Sequence, residues 1–229
     1  TGKIFTPVSL GRNDRGTYRV RHGFGYTIFY HGEEGIDQEL TVFTPIDEPV
    51  KLWSLKLKNI SQWEKYLTLT YYSEWVLGVE REYTSPYIVT HYDNEYEYLS
   101  AKSIYSYYFR KHEAFVFSNE MIIGYTGDRQ EVLGLKGSVQ NPQGLDKKLS
   151  CNTGACYDPC GAIQISVALK PGEEKTIIFG MGQSDNPDEV NTIRQKYRDV
   201  KKADYELARI KNYWDSLLGA IRVETHNRA

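Results

Sequence analysis

The sequence predicts a mainly β protein, a large antiparallel β-sandwich followed by C-terminal α-helices. In the first 184 residues, apolar and polar side chains alternate in repeated runs, which is the period of two that pleated strands impose. Short turns separate these runs and leave no room for the crossovers that parallel strands need. Aromatic residues make up 14% of the chain, and their flat side chains favour strands.

The central predicted strand is KYLTLTYYSEWVLG, residues 65–78. It is apolar on both faces, so we expect it to lie inside a sheet rather than at an edge. Glu74 and Trp75 arrive near its end and a polar stretch follows Gly78, a common way for a β scaffold to present a binding surface. The interpretation we favour for this stretch alone is that Glu74 pairs with a nearby Arg while Trp75 fills the core.

Alternation predicts the remaining strands as well. They cover residues 17–30, 36–44, 50–59, 87–92, 96–101, 115–117, 121–125, 161–169 and 177–181. We expect 17–30 to be one long strand, with His22 in the core and a bulge or close approach at Gly23 and Gly25. The Pro-Gly turn at 170–173 predicts that the last two strands form a hairpin.

The pattern changes to a helical period after Ser184. Asn186 precedes Pro187, which predicts a helix N-cap with proline in the first turn. A second helix is expected from about Val200, because apolar residues then recur at steps of three and four until Gly219.

These boundaries predict two units, a sandwich over 1–184 and a helical linker over 185–229. The helices carry more apolar surface than the sandwich alone accounts for, so we expect a further domain to cover part of it. The chain begins without Met, which fits a fragment of a longer protein.

Composition excludes several functions. The 28 basic and 30 acidic residues are nearly balanced and form no long run of either sign, so we expect no nucleic-acid partner. No apolar stretch approaches the roughly eighteen residues of a membrane span, so we expect no membrane segment in this chain.

Three cysteines, Cys151, Cys156 and Cys160, lie within ten residues. Their thiolates could hold a metal, with Asp158 as a fourth ligand. The interpretation we favour is three reduced thiols on a flexible loop and no metal site. Reduced thiols make a cytoplasmic location the simpler expectation.

No motif in the sequence identifies a catalytic site. Phosphate loops, dinucleotide fingerprints, nucleophile elbows and H-E-x-x-H are absent from the sequence, and the five histidines lack metal-ligand spacing. Asp128 and Arg129 are predicted to pair with each other in a turn. Glu74, Glu80 and Glu82 are candidate carboxylates, but spacing alone cannot select a catalytic pair.

Six segments carry a resemblance to a known family. They are RHGFGYTIF at 21–29, the run 35–59, YYSEWVLG at 71–78, TGDRQEVLG at 126–134, CGAIQ at 160–164 and YWDSLLGAIRVET at 213–225. The chain resembles the amino-terminal portion of glycoside hydrolase family 94, formerly glycosyltransferase family 36. EWVLG and GDR-x-x-x-LG are similar to the branch of cyclic β-1,2-glucan synthases and 1,2-β-oligoglucan phosphorylases.

The resemblance implies a sandwich of the galactose mutarotase-like supersandwich kind, followed by linker helices and an (α/α)6 barrel. In the family, inorganic phosphate attacks the anomeric carbon while a barrel Asp protonates the leaving oxygen. We therefore expect no catalytic residue, no metal and no cofactor in this chain, with phosphate bound outside it as the co-substrate of the parent enzyme.

The resemblance also places the loop 78–87 near an acceptor sugar. Arg81 and Tyr83 become the candidate sugar contacts, with Glu74, Trp75 and Arg129 behind them. The implied partners are a β-glucan or gluco-oligosaccharide, the chain's own downstream catalytic domain and a second copy in a homodimer. The parent protein would be cytoplasmic or anchored at the inner membrane.

The sequence thus predicts a non-catalytic carbohydrate-binding or structural domain of a glycan phosphorylase or glycosyltransferase that acts on β-glucans. One alternative is an autonomous carbohydrate-binding module, which the aromatic content favours. The other is an aldose mutarotase-like epimerase, which would need a His and a Glu together on one concave sheet face.

Overall fold

A computed structural model describes residues 2–10, 16–105, 107, 110–156 and 158–220. The strands in this part of the chain are β1 Arg19–Gly23, β2 Tyr26–Glu33, β3 Ile36–Phe43, β4 Val50–Asn59, β5 Lys65–Glu74, β6 Ile88–Asp93, β7 Tyr98–Ser103, β8 Glu113–Ser118, β9 Ile122–Asp128, β10 Pro159–Leu169 and β11 Glu174–Ser184. The helices are α1 Arg81–Thr84, α2 Arg129–Leu133, α3 Pro187–Tyr197 and α4 Val200–Leu218, with a 3-10 turn at Ser85–Tyr87.

The strands form two sheets that pack face to face. The larger sheet has the order β1-β2-β3-β4-β11-β8-β7-β6, and the smaller has the order β5-β10-β9. Every pairing between these strands is antiparallel. The core between the sheets joins Ile36 and Leu57 of the larger sheet to Ile163, Ile165 and Val167 of β10. The predicted antiparallel sandwich is therefore confirmed.

The helices α3 and α4 form a third layer on the outer face of the larger sheet. Phe115, Phe117 and Ile178 of that sheet share a second core with Tyr197 of α3 and Ile210 of α4. This contact covers much of the apolar helix surface that the sequence assigned to a further domain. Near the end of α4, apolar side chains such as Leu217 remain exposed.

The helix boundaries follow the predicted signals. Asn186 is the N-cap of α3, and its side chain accepts a hydrogen bond of 3.0 Å from the backbone N–H of Asp188. Helix α4 begins at Val200 after its own N-cap, Asp199, and ends before Gly219 as predicted. No helix in the described residues is long and apolar enough to cross a membrane.

The prediction of one strand over 17–30 is wrong. The segment is a hairpin of β1 and β2, because Gly25 adopts a φ of 81° and turns the chain. His22 lies on the exposed β1 rather than in the core. A Cβ on Gly25 would lie 2.6 Å from side-chain atoms of Ile210 and Trp214. The absence of a side chain at Gly25 therefore also allows α4 to pack closely against the hairpin.

Two predicted neighbour relations are also wrong. β5 is an edge strand of the smaller sheet and not an interior one, since β10 is its one strand partner in the described residues. β10 and β11 do not form a hairpin, because β10 pairs with β5 and β9 while β11 pairs with β4 and β8. The turn at 170–173 therefore carries the chain from one sheet to the other.

Asn59 holds together two of the turns at which the chain changes sheet, those between β4 and β5 and between β10 and β11. Its side-chain amide donates to the carbonyl oxygens of Trp63, at 2.8 Å, and Leu169, at 2.9 Å. Its backbone N–H donates to Glu173 O, and its own carbonyl accepts from Gly172 N–H. Asn59 is fully buried, so these polar groups have no access to water.

We predict that Asn59→Ala destabilises the protein by about 2–4 kcal/mol, because the buried carbonyl of Leu169 then loses its side-chain donor. Urea unfolding followed by tryptophan fluorescence measures the change. Asn94→Ala is the matched control in an exposed turn and should stay within about 0.5 kcal/mol of wild type. Equal effects of the two substitutions would contradict the role given to Asn59.

Candidate functional site

Four charged side chains meet at one end of the smaller sheet. Glu74 is the last residue of β5, and Asp158 comes just before β10. The antiparallel register sets Cys160 opposite Glu74, which brings Asp158 to the same sheet end. Arg81 and Arg129 are the first residues of α1 and α2, so four separate elements each contribute one charge. We call these four residues the charge cluster.

Each carboxylate in the charge cluster binds both arginines. Arg129 Nε donates to Glu74 Oε1 at 2.8 Å, and Arg129 Nη1 donates to Asp158 Oδ2 at 3.2 Å. Arg81 donates one N–H to Glu74 and another to Asp158. The Tyr72 hydroxyl adds a hydrogen bond of 2.6 Å to Glu74 Oε1. Two positive and two negative charges thus form a closed ring without net charge.

The charge cluster keeps Glu74 ionised. Partial burial by itself would raise the pKa of Glu74, but the hydrogen bonds from Tyr72 and Arg129 and the charges of both arginines lower it below 4.5. Hydrogen bonding to Glu74 raises the pKa of Arg129 in return. A carboxyl group that is ionised at neutral pH cannot act as a general acid.

Trp75 lies in the core next to the charge cluster. The residue is 4% exposed, and its indole covers Gly161, where a Cβ would lie 2.4 Å from the ring. Glu74 paired with arginine and Trp75 in the core is the arrangement that we favoured for this stretch taken alone. Trp75 presents no ring face to solvent on which a sugar could stack.

Within the segment 78–87, predicted as a loop, residues 81–87 form α1 and the 3-10 turn. Arg81 points into the charge cluster, whereas the Tyr83 side chain is 67% exposed. Tyr87 and Tyr105 are also exposed, and their rings lie 5.1 Å apart. We call Tyr83, Tyr87 and Tyr105 the tyrosine surface.

The three cysteines differ in position. Cys160 is fully buried within β10, so the prediction that all three lie on a loop is wrong for this residue. Burial raises the pKa of Cys160 and of Cys156, so neither thiol is activated. Asp158, considered as a metal ligand, binds arginines instead. Within the described ranges, no three His, Cys, Asp or Glu side chains are arranged to hold a metal.

Sequence reasoning brought forward Glu74, Arg81 and Arg129 but missed two of their partners. Asp158 had been considered only for a metal, and Tyr72 only as a strand residue. The predicted pairing of Asp128 with Arg129 is wrong, since Asp128 is the N-cap of α2 and accepts from Gln130 N–H at 2.9 Å. No sequence signal links residues that the fold brings together from so far apart.

The epimerase hypothesis requires a His and a Glu together on one concave sheet face, and the hydrogen bonds of two histidines bear on it. His22 bonds Thr27 and buried His31 bonds Gln38, each at 3.1 Å. Both partners are neutral, so neither of these histidines forms the His and Glu pair that the epimerase hypothesis needs.

We predict that Arg129→Met destabilises the protein by about 1–2 kcal/mol at pH 7, because Glu74 and Asp158 each lose a charged donor. The pKa of Glu74 is lowered in the folded state, so its stabilising contribution is present at neutral pH and is lost as the pH falls below about 4.5. The difference between variant and wild type should therefore shrink in acid, as urea unfolding at a series of pH values would measure.

The matched control is Lys56→Met, which removes the more exposed ion pair between Lys56 and Glu174. We expect no measurable change from it. A loss from Arg129→Met that stays constant from pH 7 to pH 3 would contradict the role of the charge cluster.

Comparison with known proteins identifies the family. The model of the glycosyl hydrolase 94 supersandwich domain matches residues 1–200. The chain is 32% identical to the cyclic beta-(1,2)-glucan synthase NdvB of Rhizobium meliloti (strain 1021), over all of this chain and 8% of the synthase. It is 26% identical to the N,N'-diacetylchitobiose phosphorylase of Vibrio furnissii, over 97% of this chain and 28% of that enzyme. The chain thus spans less than a third of these relatives.

A solved structure supports the fold. The chain is similar to a bacterial glucoamylase complexed with acarbose, with a TM-score of 0.51 and 10% identity over 87% of this chain and 29% of the glucoamylase chain. Together with the family match over 200 of 229 residues, the architecture confirms the relationship that the sequence predicted. The chain belongs to the glycosyl hydrolase 94 family, as its supersandwich domain.

Proposed function

We propose that this chain is a non-catalytic domain of a glycan phosphorylase or glycosyltransferase that acts on β-glucans, and that it lends a surface to the acceptor-sugar side of a reaction site located elsewhere. The observation that carries the proposal is the 32% identity to a cyclic beta-(1,2)-glucan synthase along the entire chain. The parent activity most consistent with it is cyclic β-1,2-glucan synthesis.

The charge cluster supports a non-catalytic role. Glycoside cleavage by paired carboxylates requires one protonated and one ionised group on either side of the bond. Glu74 and Asp158 are instead joined through the same two arginines, and Glu74 is held ionised. Such a ring is suited to fixing the position of α1 and leaves no group free to donate a proton.

The tyrosine surface supports the acceptor-side role. Tyr83 lies on α1, two residues after Arg81, so the charge cluster holds the helix that presents this ring to solvent. Tyrosine rings pack on the apolar faces of sugars, and their hydroxyl groups stay in contact with water. Arg81 takes part through the position of α1, since its guanidinium is already bound to two carboxylates.

We predict that the 229-residue chain releases no sugar phosphate from β-1,2-linked gluco-oligosaccharides and inorganic phosphate. Chromatographic detection of glucose 1-phosphate measures this. Isothermal calorimetry with the same oligosaccharides should give a flat titration, because one exposed surface without a second wall holds a sugar only weakly. Phosphorolysis would overturn the non-catalytic assignment, and a saturable titration would establish an autonomous carbohydrate-binding module.

In a catalytically active polypeptide that carries this chain, we predict that Tyr83→Ala raises KM for the acceptor sugar about two- to tenfold, since an aromatic contact is worth roughly 0.5–1.5 kcal/mol. Tyr83→Phe keeps the ring and should retain most of the affinity. Initial rates at varied acceptor concentration provide the measurement.

The matched control is Tyr205→Ala, which removes a tyrosine of similar exposure, 61%, from α4. It should leave KM unchanged. Equal KM values for the Tyr83→Ala and Tyr205→Ala variants would contradict the proposal that Tyr83 contacts the acceptor sugar.

A further inference from the structure

The four edge strands of the two sheets differ in whether other residues cover their outer edges. The outer edge of β9 is covered by a following segment, because Cys151 N–H donates to Tyr125 O at 2.9 Å and Gly127 N–H donates to Asn152 O at 2.8 Å. The same segment covers the outer edge of β6, where Thr90 N–H donates to Gly154 O at 3.0 Å. One side of the sandwich is therefore closed by backbone hydrogen bonds.

The other side has two different edges. β1 is only five residues long and carries Arg19 and Arg21, and short, charged edges resist pairing with further strands. β5 is ten residues long and contains no proline, and between Lys65 and Glu74 it has no charged residue. In the described part of the chain, its outer edge pairs with no strand. Long uncharged edges of this kind are normally covered in native proteins.

An apolar trough runs along β5. It encloses about 950 Å³ between the two sheets, and its walls include Leu67 and Leu69 of β5 and Leu55 of β4. Two large aromatic side chains stand at its border, Trp63 at 77% exposure and Tyr66 at 76%. Large apolar side chains left exposed beside an apolar depression are typical of an interaction surface.

We propose that the edge of β5 and this trough receive an additional β-strand, supplied by a part of the same polypeptide outside these 229 residues. An extended segment satisfies both features at once: its backbone pairs with the N–H and C=O groups of β5, and its alternate side chains enter the trough. The relatives offer such polypeptide, because this chain spans only 28% of the chitobiose phosphorylase and 8% of the glucan synthase. Residues 2–8 of this chain form part of the trough wall, and Phe5 and Val8 pack against the core, so the added strand would share the trough with this segment.

The proposal explains why the sequence of β5 resembles an interior strand. No proline and no charge interrupt it between Lys65 and Glu74, which suits a strand with neighbours on both edges, yet the structure gives it one neighbour. With an added strand, β5 becomes interior and the smaller sheet covers more of the larger one.

Residue-resolved amide hydrogen exchange tests the proposal, comparing the 229-residue chain with the full polypeptide that its gene encodes. We expect alternate amides of β5, those that face the free edge, to exchange about 100-fold more slowly in the full polypeptide. The amides of β10, which pairs on both edges already, are the internal control and should not change. Trp63 emission, isolated by difference against Trp63→Phe, should shift to shorter wavelength in the full polypeptide.

Four results would overturn the proposal. The first is equal exchange of β5 in the two proteins, and the second is a gene that encodes these 229 residues alone. The third is protection of β5 in the 229-residue chain that rises with protein concentration, which would assign the edge to a second copy. Protection of all β5 amides without alternation would likewise count against strand addition, because it indicates general burial.

Discussion

The larger sheet is apolar on both faces, and this constraint determines the rest of the architecture. Along β8, Phe115 and Phe117 face the helices while Val116 faces the smaller sheet, and Ile177 and Ile178 divide in the same way along β11. Such a sheet needs a cover on each side. The smaller sheet and the helices α3 and α4 supply the two covers, so the chain must change layers repeatedly, and the buried contacts of Asn59 hold two of those crossings together.

The position of the charge cluster follows from this layering. β5 ends and β10 begins at the same end of the smaller sheet, where α1 and α2 also begin. The ends of four elements therefore meet there. Burying one charge there would be costly, but two carboxylates and two guanidinium groups in a closed ring satisfy one another. The ring fixes α1 and with it the exposed Tyr83. A structural ion network thus holds the short helix that presents this surface residue.

Local signals in the sequence predicted the elements better than their partners. The bounds of β4 and the start of α3 follow directly from alternation and from the Asn186 cap, which are properties of neighbouring residues. Alternation is the same whichever strand lies alongside, so the edge position of β5 and the separation of β10 from β11 could not be predicted. The members of the charge cluster could not be predicted for a similar reason, because Arg81 and Asp158 are 77 positions apart in the sequence.

The two sides of the sandwich differ in how completely this chain covers them. The side formed by the edges of β6 and β9 is closed by backbone hydrogen bonds with residues 151–154 of this chain. On the opposite side, β5 has neither proline nor charge between Lys65 and Glu74, and its free edge lies beside an apolar trough. Native proteins normally cover a long edge of this composition. The composition of β5 and its edge position together therefore point to a neighbouring strand.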